Sequence, residues 1–273
     1  MTVSGLRDTL IRDFAMARRD AAQIVATVLG IPPERLISGG DDPVGDDESA
    51  ACRESARRLA AGEPLAYVLG NAGFYKREFA VDSRVLIPRP ETEHLIDEAL
   101  AFLKTREHPY VLDVGAGSGA IACTIAAEVP HAHVDAVDVS PGALEVAAIN
   151  RDRLHVQQRV ALYLGDLFEP VPGKQYDAVI ANLPYVPDGQ GDAELRFEPA
   201  IALYAGIDGL DAYRRFFASA APFVKPGGIV LAEGAPPVVG GMLALAQAAF
   251  PHARVSAQRD YGGRERFIKV ETR

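Results

Sequence analysis

Two hydrophobic patterns divide the chain. From residue 5 to about 70 the apolar positions fall at helical spacing, with Leu6, Leu10 and Phe14 in one run and Ile24, Val25 and Leu29 in the next. "GGDDPVGDDES" (39–49) breaks the pattern as a loop, and its end offers an N-cap to a further helix, "SAACRESARRLAAG", stopped by Gly62. No strand pattern precedes Phe74. "FYKREFAVDSRVLI" (74–87) then alternates as a β-hairpin does, with Asp82-Ser83 near the predicted turn.

Beyond the hairpin, apolar runs of strand length alternate with helical stretches. Strands are predicted at "YVLDVG" (110–115), "AHVDAVDV" (132–139), "RVALYLGDL" (159–167), "YDAVIANL" (176–183), "IVLAEG" (229–234) and "RFIKV" (266–270). Helices are predicted at "SGAIACTIAAEV" (118–129), "SPGALEVAAINRDRL" (140–154), "GLDAYRRFFASAAPFV" (209–224, ended by "KPGG") and "MLALAQAAF" (242–250). Ser140 is placed as an N-cap and Pro141 in the first turn. Strands alternating with helices imply a parallel α/β sheet. The expected organisation is a small helical domain (1–73), then a hairpin plus a doubly wound domain (74–273).

Ligands of such sheets bind beyond the carboxyl ends of the strands. The first strand delivers Asp113 and the turn Gly115-Ala116-Gly117-Ser118-Gly119, the second Asp138, the third Asp166 and the fourth Asn182. The turn fits a loose dinucleotide pattern, with Asp138 about 20 residues on. It also fits a plain glycine turn, and each Asp fits a cap for the helix or turn that follows it. The carboxylates discriminate further. A pyrophosphate wants bare amides, and Asp113 and Asp166 would repel it. S-adenosylmethionine carries no phosphate and has two positive centres, an ammonium and a sulfonium. Asp138 is expected to accept both ribose hydroxyls, Asp166 the adenine amino group, and Asp113 the methionine amine, directly or through water.

After the fourth strand comes "ANLPYVP" (181–187), held stiff and extended by its prolines. A planar NH2 group is a poor nucleophile, because its lone pair is delocalised. The Asn182 side-chain oxygen and a main-chain carbonyl at Leu183 or Pro184 can accept its two protons and aim the nitrogen at a methyl donor. Tyr185 can pack on the flat acceptor. The catalytic candidates are therefore Asn182, Pro184 and Tyr185, with Leu183 alongside them in the substrate site.

Composition narrows the setting. Of 273 residues 48% are hydrophobic and 24% charged, as in ordinary globular proteins, and the net charge of −9 offers no global attraction for nucleic acid or anionic membrane. The two cysteines, Cys52 and Cys123, form no CxxC pair, and the six histidines have no metal-ligand spacing, so no metal is expected. The amino terminus is charged throughout, and no apolar run approaches ~18 residues, which predicts a cytoplasmic chain.

The set "LDVGAGSGAIA", "VDVS", "GDL" and "NLPY" resembles class I methyltransferases that modify planar nitrogen. "AGEPLAYVLGNAGFYKREFAVDSRVLIPRPETEHLIDEAL" (61–100), "FEPAIALYAGIDGLDAYRRF" (197–216), "DYGGRER" (260–266) and "DAAQIVATVLGIPPERL" (20–36) narrow the resemblance to the HemK/PrmC family, glutamine N-methyltransferases of class 1 peptide chain release factors. The resemblance implies a Rossmann-like seven-stranded sheet with an antiparallel last strand pair, S-adenosylmethionine as cofactor, and the glutamine of a Gly-Gly-Gln loop as substrate. It assigns Gly115 to Gly119, Asp138, the position of Leu167 and Asn182 to the cofactor, and Asn182 to Tyr185 to the glutamine. It places Pro88 and Arg89 over the cofactor, although Arg89 could equally pair with Glu91 or Glu93. The helical domain becomes the reader of the release factor, and the enzyme is expected to be a monomer that does not touch nucleic acid or membrane.

Three positions depart from the family. Leu183 stands where proline is usual, Leu167 where some members carry an aromatic residue, and "AEGAPPVVGG" (232–241) where Glu-x-Gly is usually followed by Gln. The alternatives are a methyltransferase of a ribosomal protein glutamine or of a nucleic-acid amino group, an NAD-dependent oxidoreductase, and a binding module without catalysis. The acidic balance disfavours the nucleic-acid reading, the carboxylates disfavour NAD, and the intact Asn182 disfavours the binding module.

Overall fold

A computed structural model describes residues 1–32, 35–38, 42–191, 193–260 and 262–273. Residues 39–41 of the predicted loop and Tyr261 of the "DYGGRER" stretch lie outside them. The chain divides into two compact units, Met1–Ala72 and Gly73–Arg273.

The first unit is helical: α1 (Val3–Phe14), α2 (Arg18–Leu29), α3 (Arg35–Ser38), α4 (Asp46–Ala60) and α5 (Leu65–Leu69). The Thr2 hydroxyl caps α1 by accepting from the Gly5 N–H at 3.1 Å. Gly30 ends α2 in the left-handed region, φ 62°. The predicted stripe closes a small core, in which Leu6, Leu10, Ile24 and Val25 are buried with Cys52 and Ala56. Phe14 and Leu29 pack against it half-buried.

A hairpin follows, β1 (Asn71–Phe74) and β2 (Arg77–Ala80), and it corrects the sequence expectation. Its turn is Tyr75-Lys76, both at positive φ (45° and 63°), the backbone of a type I′ turn. Asp82-Ser83 lies beyond it, where the Asp82 carboxylate accepts the Arg84 N–H at 3.0 Å and leads the chain out of strand geometry. The turn lacks the Asn-Gly signal, so the sequence pattern ran past it.

The rest is α6 (Thr92–Leu103), β3 (Tyr110–Val114), α7 (Ala120–Glu128), β4 (His133–Asp138), α8 (Pro141–Arg153), β5 (Val160–Leu164), β6 (Tyr176–Ala181), α9 (Asp211–Ala220), β7 (Val224–Glu233), α10 (Pro236–Ala249), β8 (Arg254–Arg259) and β9 (Glu265–Glu271). The sheet order is β5-β4-β3-β6-β7-β9-β8, parallel from β5 to β7, with β9 antiparallel to both β7 and β8. Alternate residues feed opposite cores. Val111, Val134, Ala178 and Leu231 face one side with α6 and α7, and Leu112, Val137, Val179 and Val230 face the other with α9 and α10. Several boundaries differ from expectation, and β7 takes in the "KPGG" stretch by beginning at Val224 where the strand was expected from Ile229. The helix predicted to Val224 ends at Ala220, because Pro222 tightens the chain into a 3₁₀ turn before β7. The last helix begins at Pro236, six residues early, since proline suits a first turn.

Candidate active site

The strand order reverses direction between β3 and β6, and the site opens there. Leaving β3, the chain turns through Gly115, Gly117 and Gly119, with φ of 78°, 53° and 75°. Two of these glycines are forced by neighbours as well as by φ. A Cβ on Gly115 would lie 2.9 Å from Leu183 Cδ2, and one on Gly119 would lie 3.1 Å from Ala147 Cβ. Gly117 has open space over it. The Gly115 and Ala116 N–H groups donate to the Val137 carbonyl at 2.9 and 3.0 Å, pinning the turn to β4.

Asp138 ends β4. Its Oδ2 accepts the Gly117 N–H at 2.8 Å and its Oδ1 the Ser140 N–H at 2.8 Å. Burial raises its pKa against the pull of those bonds. Two accepted protons leave a carboxylate further lone pairs. Beside it lies a cavity of about 310 Å³, lined by Gly115 to Ser118, Asp138, Asp166, Leu167, Arg89, Asn182, Leu183 and Pro184. Leu86, Pro88, Val139 and Ile201 contribute apolar wall. Leu167 is held at φ 50°, an uncommon and costly conformation for a branched side chain, at the rim of this cavity.

Several expected residues are placed differently from the sequence reading. Asp113 is fully buried and does not line the cavity. Its Oδ2 accepts the Ala122 N–H at 3.0 Å, so it caps α7 from below; burial without a counter-cation pushes its pKa up to about 7. Asp166 lines the cavity, but its Oδ2 is paired with Arg215, so its charge is already neutralised. Arg89 pairs with neither Glu91 nor Glu93. It donates to buried Glu198, whose other oxygen accepts the Ile87 N–H at 3.0 Å. Glu91 faces Arg266 at 3.6 Å, and Glu93 accepts the Tyr75 N–H at 2.8 Å. Tyr185 is also absent from the cavity wall; it packs half-buried on the α9–α10 core, its hydroxyl pKa raised by burial and by Glu233.

Four further side chains support the site, three of them around Asn182 and the fourth, Glu198, at the 87–89 segment. Thr92, the first residue of α6, lies 3.3 Å from Asn182 Nδ2 through its hydroxyl. Glu233 ends β7 with its carboxyl buried; burial pushes its pKa up to about 7, against the opposing pull of Thr92 and Asn182. Tyr213 of α9 accepts the Leu183 N–H at 3.2 Å and donates to the Glu233 carbonyl, tying β6 to β7. Glu198 fastens the 87–89 segment as described. Thr92 and Glu198 stand inside the "IPRPETE" and "EPAIAL" stretches, so family resemblance was their one available signal.

Three arginines line the cavity, and each has a carboxylate partner: Arg84 has Asp82 and Glu145, Arg89 has Glu198, and Arg215 has Asp166. Among the described residues the wall therefore holds no unpaired arginine for a pyrophosphate. A backbone cradle, a carboxylate with spare lone pairs and apolar sides fit a phosphate-free nucleoside, in a volume at the lower end of ordinary small-molecule sites. No group of three His, Cys, Asp or Glu side chains suited to a metal is found among the described residues.

Residues 94–197 match the family profile described as Methyltransferase small domain, and residues 8–70 that described as PrmC N-terminal domain. Curated relatives include the release factor glutamine methyltransferases of Bordetella pertussis (40% identical, covering 94% of this chain and 96% of the relative) and Cereibacter sphaeroides (40%, covering 93% and 91%). The fold is shared with a methyltransferase from Pyrococcus furiosus (TM-score 0.53, 16% identity, covering 80% of this chain and 98% of that one). It is shared too with a ribosomal protein L11 methylase from Lactobacillus delbrueckii subsp. bulgaricus (TM-score 0.51, 16% identity, covering 74% and 90%). At such identity over nearly the whole length of both chains, this chain belongs to the release factor glutamine methyltransferase family.

Proposed function

We propose that this chain transfers a methyl group from S-adenosylmethionine to the side-chain amide nitrogen of the glutamine in the Gly-Gly-Gln loop of class 1 peptide chain release factors. The observation that carries the reading is the shared wall of one cavity. The glycine turn and Asp138 stand on one side of it, and Asn182, Leu183 and Pro184 on the other.

In this reading Gly115 to Gly119 cradle the cofactor with backbone, Asp138 accepts its ribose hydroxyls, and Leu167 and Ile201 flank its base. Asp166 borders the base with one free oxygen, and Pro88 and Arg89 roof the site, locked by Glu198. Asp113 acts indirectly, holding the start of α7 in place. When bound, the cofactor supplies an electrophilic methyl carbon on a positively charged sulfur.

Asn182 Oδ1 and a main-chain carbonyl at Leu183 or Pro184 accept the two amide protons of the substrate glutamine. That orients its nitrogen toward the methyl and favours the pyramidal form it must adopt. Alignment of atoms ~3–3.5 Å apart then carries much of the acceleration. Tyr185, outside the cofactor cavity, borders the approach of the glutamine. The helical unit Met1–Ala72 is assigned to reading the release factor, because three residues of loop offer little specificity. The enzyme is taken to act as a cytoplasmic monomer without binding nucleic acid or membrane; no helix among the described residues is long and apolar enough to cross a membrane.

The test is methyl transfer from labelled S-adenosylmethionine to purified release factor, wild type against Gln→Ala in the Gly-Gly-Gln loop. Label on the wild type alone is expected. Label on both, or on RNA instead, would overturn the reading.

A further inference from the structure

Asn182 sits in a cluster that the reaction scheme above leaves unused. β6 and β7 run parallel with Ala181 opposite Ala232, so Asn182 and Glu233 are the next residue out on each strand. Tyr213 clamps the two exits together through the Leu183 N–H and the Glu233 carbonyl. Glu233 is 2% exposed, and its Oε2 is buried with no hydrogen-bond partner. Thr92, 4% exposed, reaches the same place from α6, 3.3 Å from Asn182 Nδ2. The surrounding charges are Glu91 and Arg266, with the Tyr185 ring beside them.

A primary amide has two faces, and only one can receive a substrate NH2. Turned the other way, Asn182 would present its own NH2 to the incoming amide, two donors facing each other. Something must select the rotamer. The Glu233 carboxyl keeps an accepting oxygen in either protonation state, and a Thr92 hydroxyl that gives its proton to Glu233 can only accept from Asn182. Both then favour the NH2 end of Asn182. A flipped Asn182 would set its carbonyl oxygen against buried carboxylate oxygens, leaving polar groups unmatched where water cannot relieve them.

We propose that Glu233, with Thr92, is a positioning residue for the reaction: it fixes the Asn182 amide with Nδ2 inward and Oδ1 toward the methyl acceptor. The inference rests on the proposed role of Asn182 in holding the substrate amide, and it adds the pair that sets its direction. Glu233 lies outside the lining of the cavity. Its effect passes through Asn182, so it belongs in kcat and not in cofactor binding.

The experiment compares Glu233→Ala, Glu233→Gln, Thr92→Val and Thr92→Ser in the full chain. Each is read for methyl transfer to release factor, for S-adenosylhomocysteine affinity by titration, and for the Asn182 side-chain NH2 resonances by 15N NMR, assigned by their loss in Asn182→Ala. Glu233→Ala is expected to lower kcat about 10- to 100-fold, the scale of losing one preorganised polar group, with cofactor affinity within about 3-fold. Glu233→Gln recovers part of the loss. Thr92→Val, nearly isosteric and unaffected by any folding failure of Glu233→Ala, lowers kcat about 3- to 10-fold, and Thr92→Ser recovers most of that. The Asn182 NH2 signals are expected to exchange slowly in wild type and to move toward free-amide positions in Glu233→Ala and Thr92→Val. Unchanged NH2 signals in both folded variants, or kcat within 2-fold of wild type, would overturn the inference. If the wild type fails to methylate release factor while its Asn182 amide is pinned and released as described, the proposed function falls and the positioning stands.

Discussion

The two sides of the cavity are made of different material. On the β3–β4 side the surface is largely backbone: three glycines at positive φ, and N–H groups held by Val137 and Asp138. On the β6–β7 side the wall carries the side chains of Thr92, Asn182, Leu183 and Pro184, with Tyr213 and Glu233 outside the lining and bonded to this group. A backbone cradle can approach any ligand of the right shape closely, and its selectivity comes from what lines the rest of the cavity. A side-chain cluster can select one orientation of one functional group. The difference suits a shared methyl donor on one side and a particular acceptor on the other.

The sharpest way to break this comparison is Asn182→Ala. Loss of the proposed acceptor oxygen should lower methyl transfer by about 10²–10³-fold in single turnover at saturating cofactor. A loss below 10-fold would mean that the acceptor is held elsewhere. Asp138→Asn strikes the opposite side. An amide cannot satisfy the Gly117 and Ser140 N–H groups with both of its ends, so one end meets a donor with a donor. S-adenosylhomocysteine affinity should fall about 10- to 100-fold, the scale of a charge-assisted hydrogen bond, as calorimetry would show.

Acidity separates the halves more gently. Burial raises the Glu233 pKa from 4.5 to about 7. The folded protein therefore keeps a proton that the unfolded chain has released, and unfolding becomes easier as pH rises from about 4.5 toward 7, by up to ~3 kcal/mol for this group. Asp113 acts in the same direction, its pKa raised from 3.8 to about 7. Urea denaturation between those pH values should show Glu233→Gln with a flatter dependence than wild type; an identical slope would remove Glu233 from the account. The smallest effect expected is that of Leu183→Pro, which removes the N–H that Tyr213 accepts at 3.2 Å. About 1 kcal/mol, or 2–4 °C in Tm, should be lost, with kcat within about 3-fold because the carbonyl remains.

The legible parts of the molecule were those whose physics is local. The alternating strands, the glycine turn, Asp138 and Asn182 each follow from spacing along a few consecutive residues. The edge strand β8, "RVSAQR", carries no apolar run because its residues are only partly buried or exposed, and only family resemblance implied the seventh strand. The β1–β2 turn was missed because Tyr75 and Lys76 carry positive φ without glycine. The charge of Asp113 and Asp166 does not reveal their partners. Where each would find its partner depended on residues 9 and 49 positions away, Ala122 and Arg215. Thr92 and Glu233 illustrate the same limit at 90 and 51 positions from Asn182, where nothing in the local pattern links them.

The most direct test of the division between the two sides is titration of S-adenosylhomocysteine into wild type, Asp138→Asn and Asn182→Ala under one set of conditions. Asp138→Asn is expected to bind about 10- to 100-fold more weakly while Asn182→Ala stays within about 5-fold of wild type. Asn182→Ala losing as much affinity as Asp138→Asn, or Asp138→Asn binding normally, would contradict it.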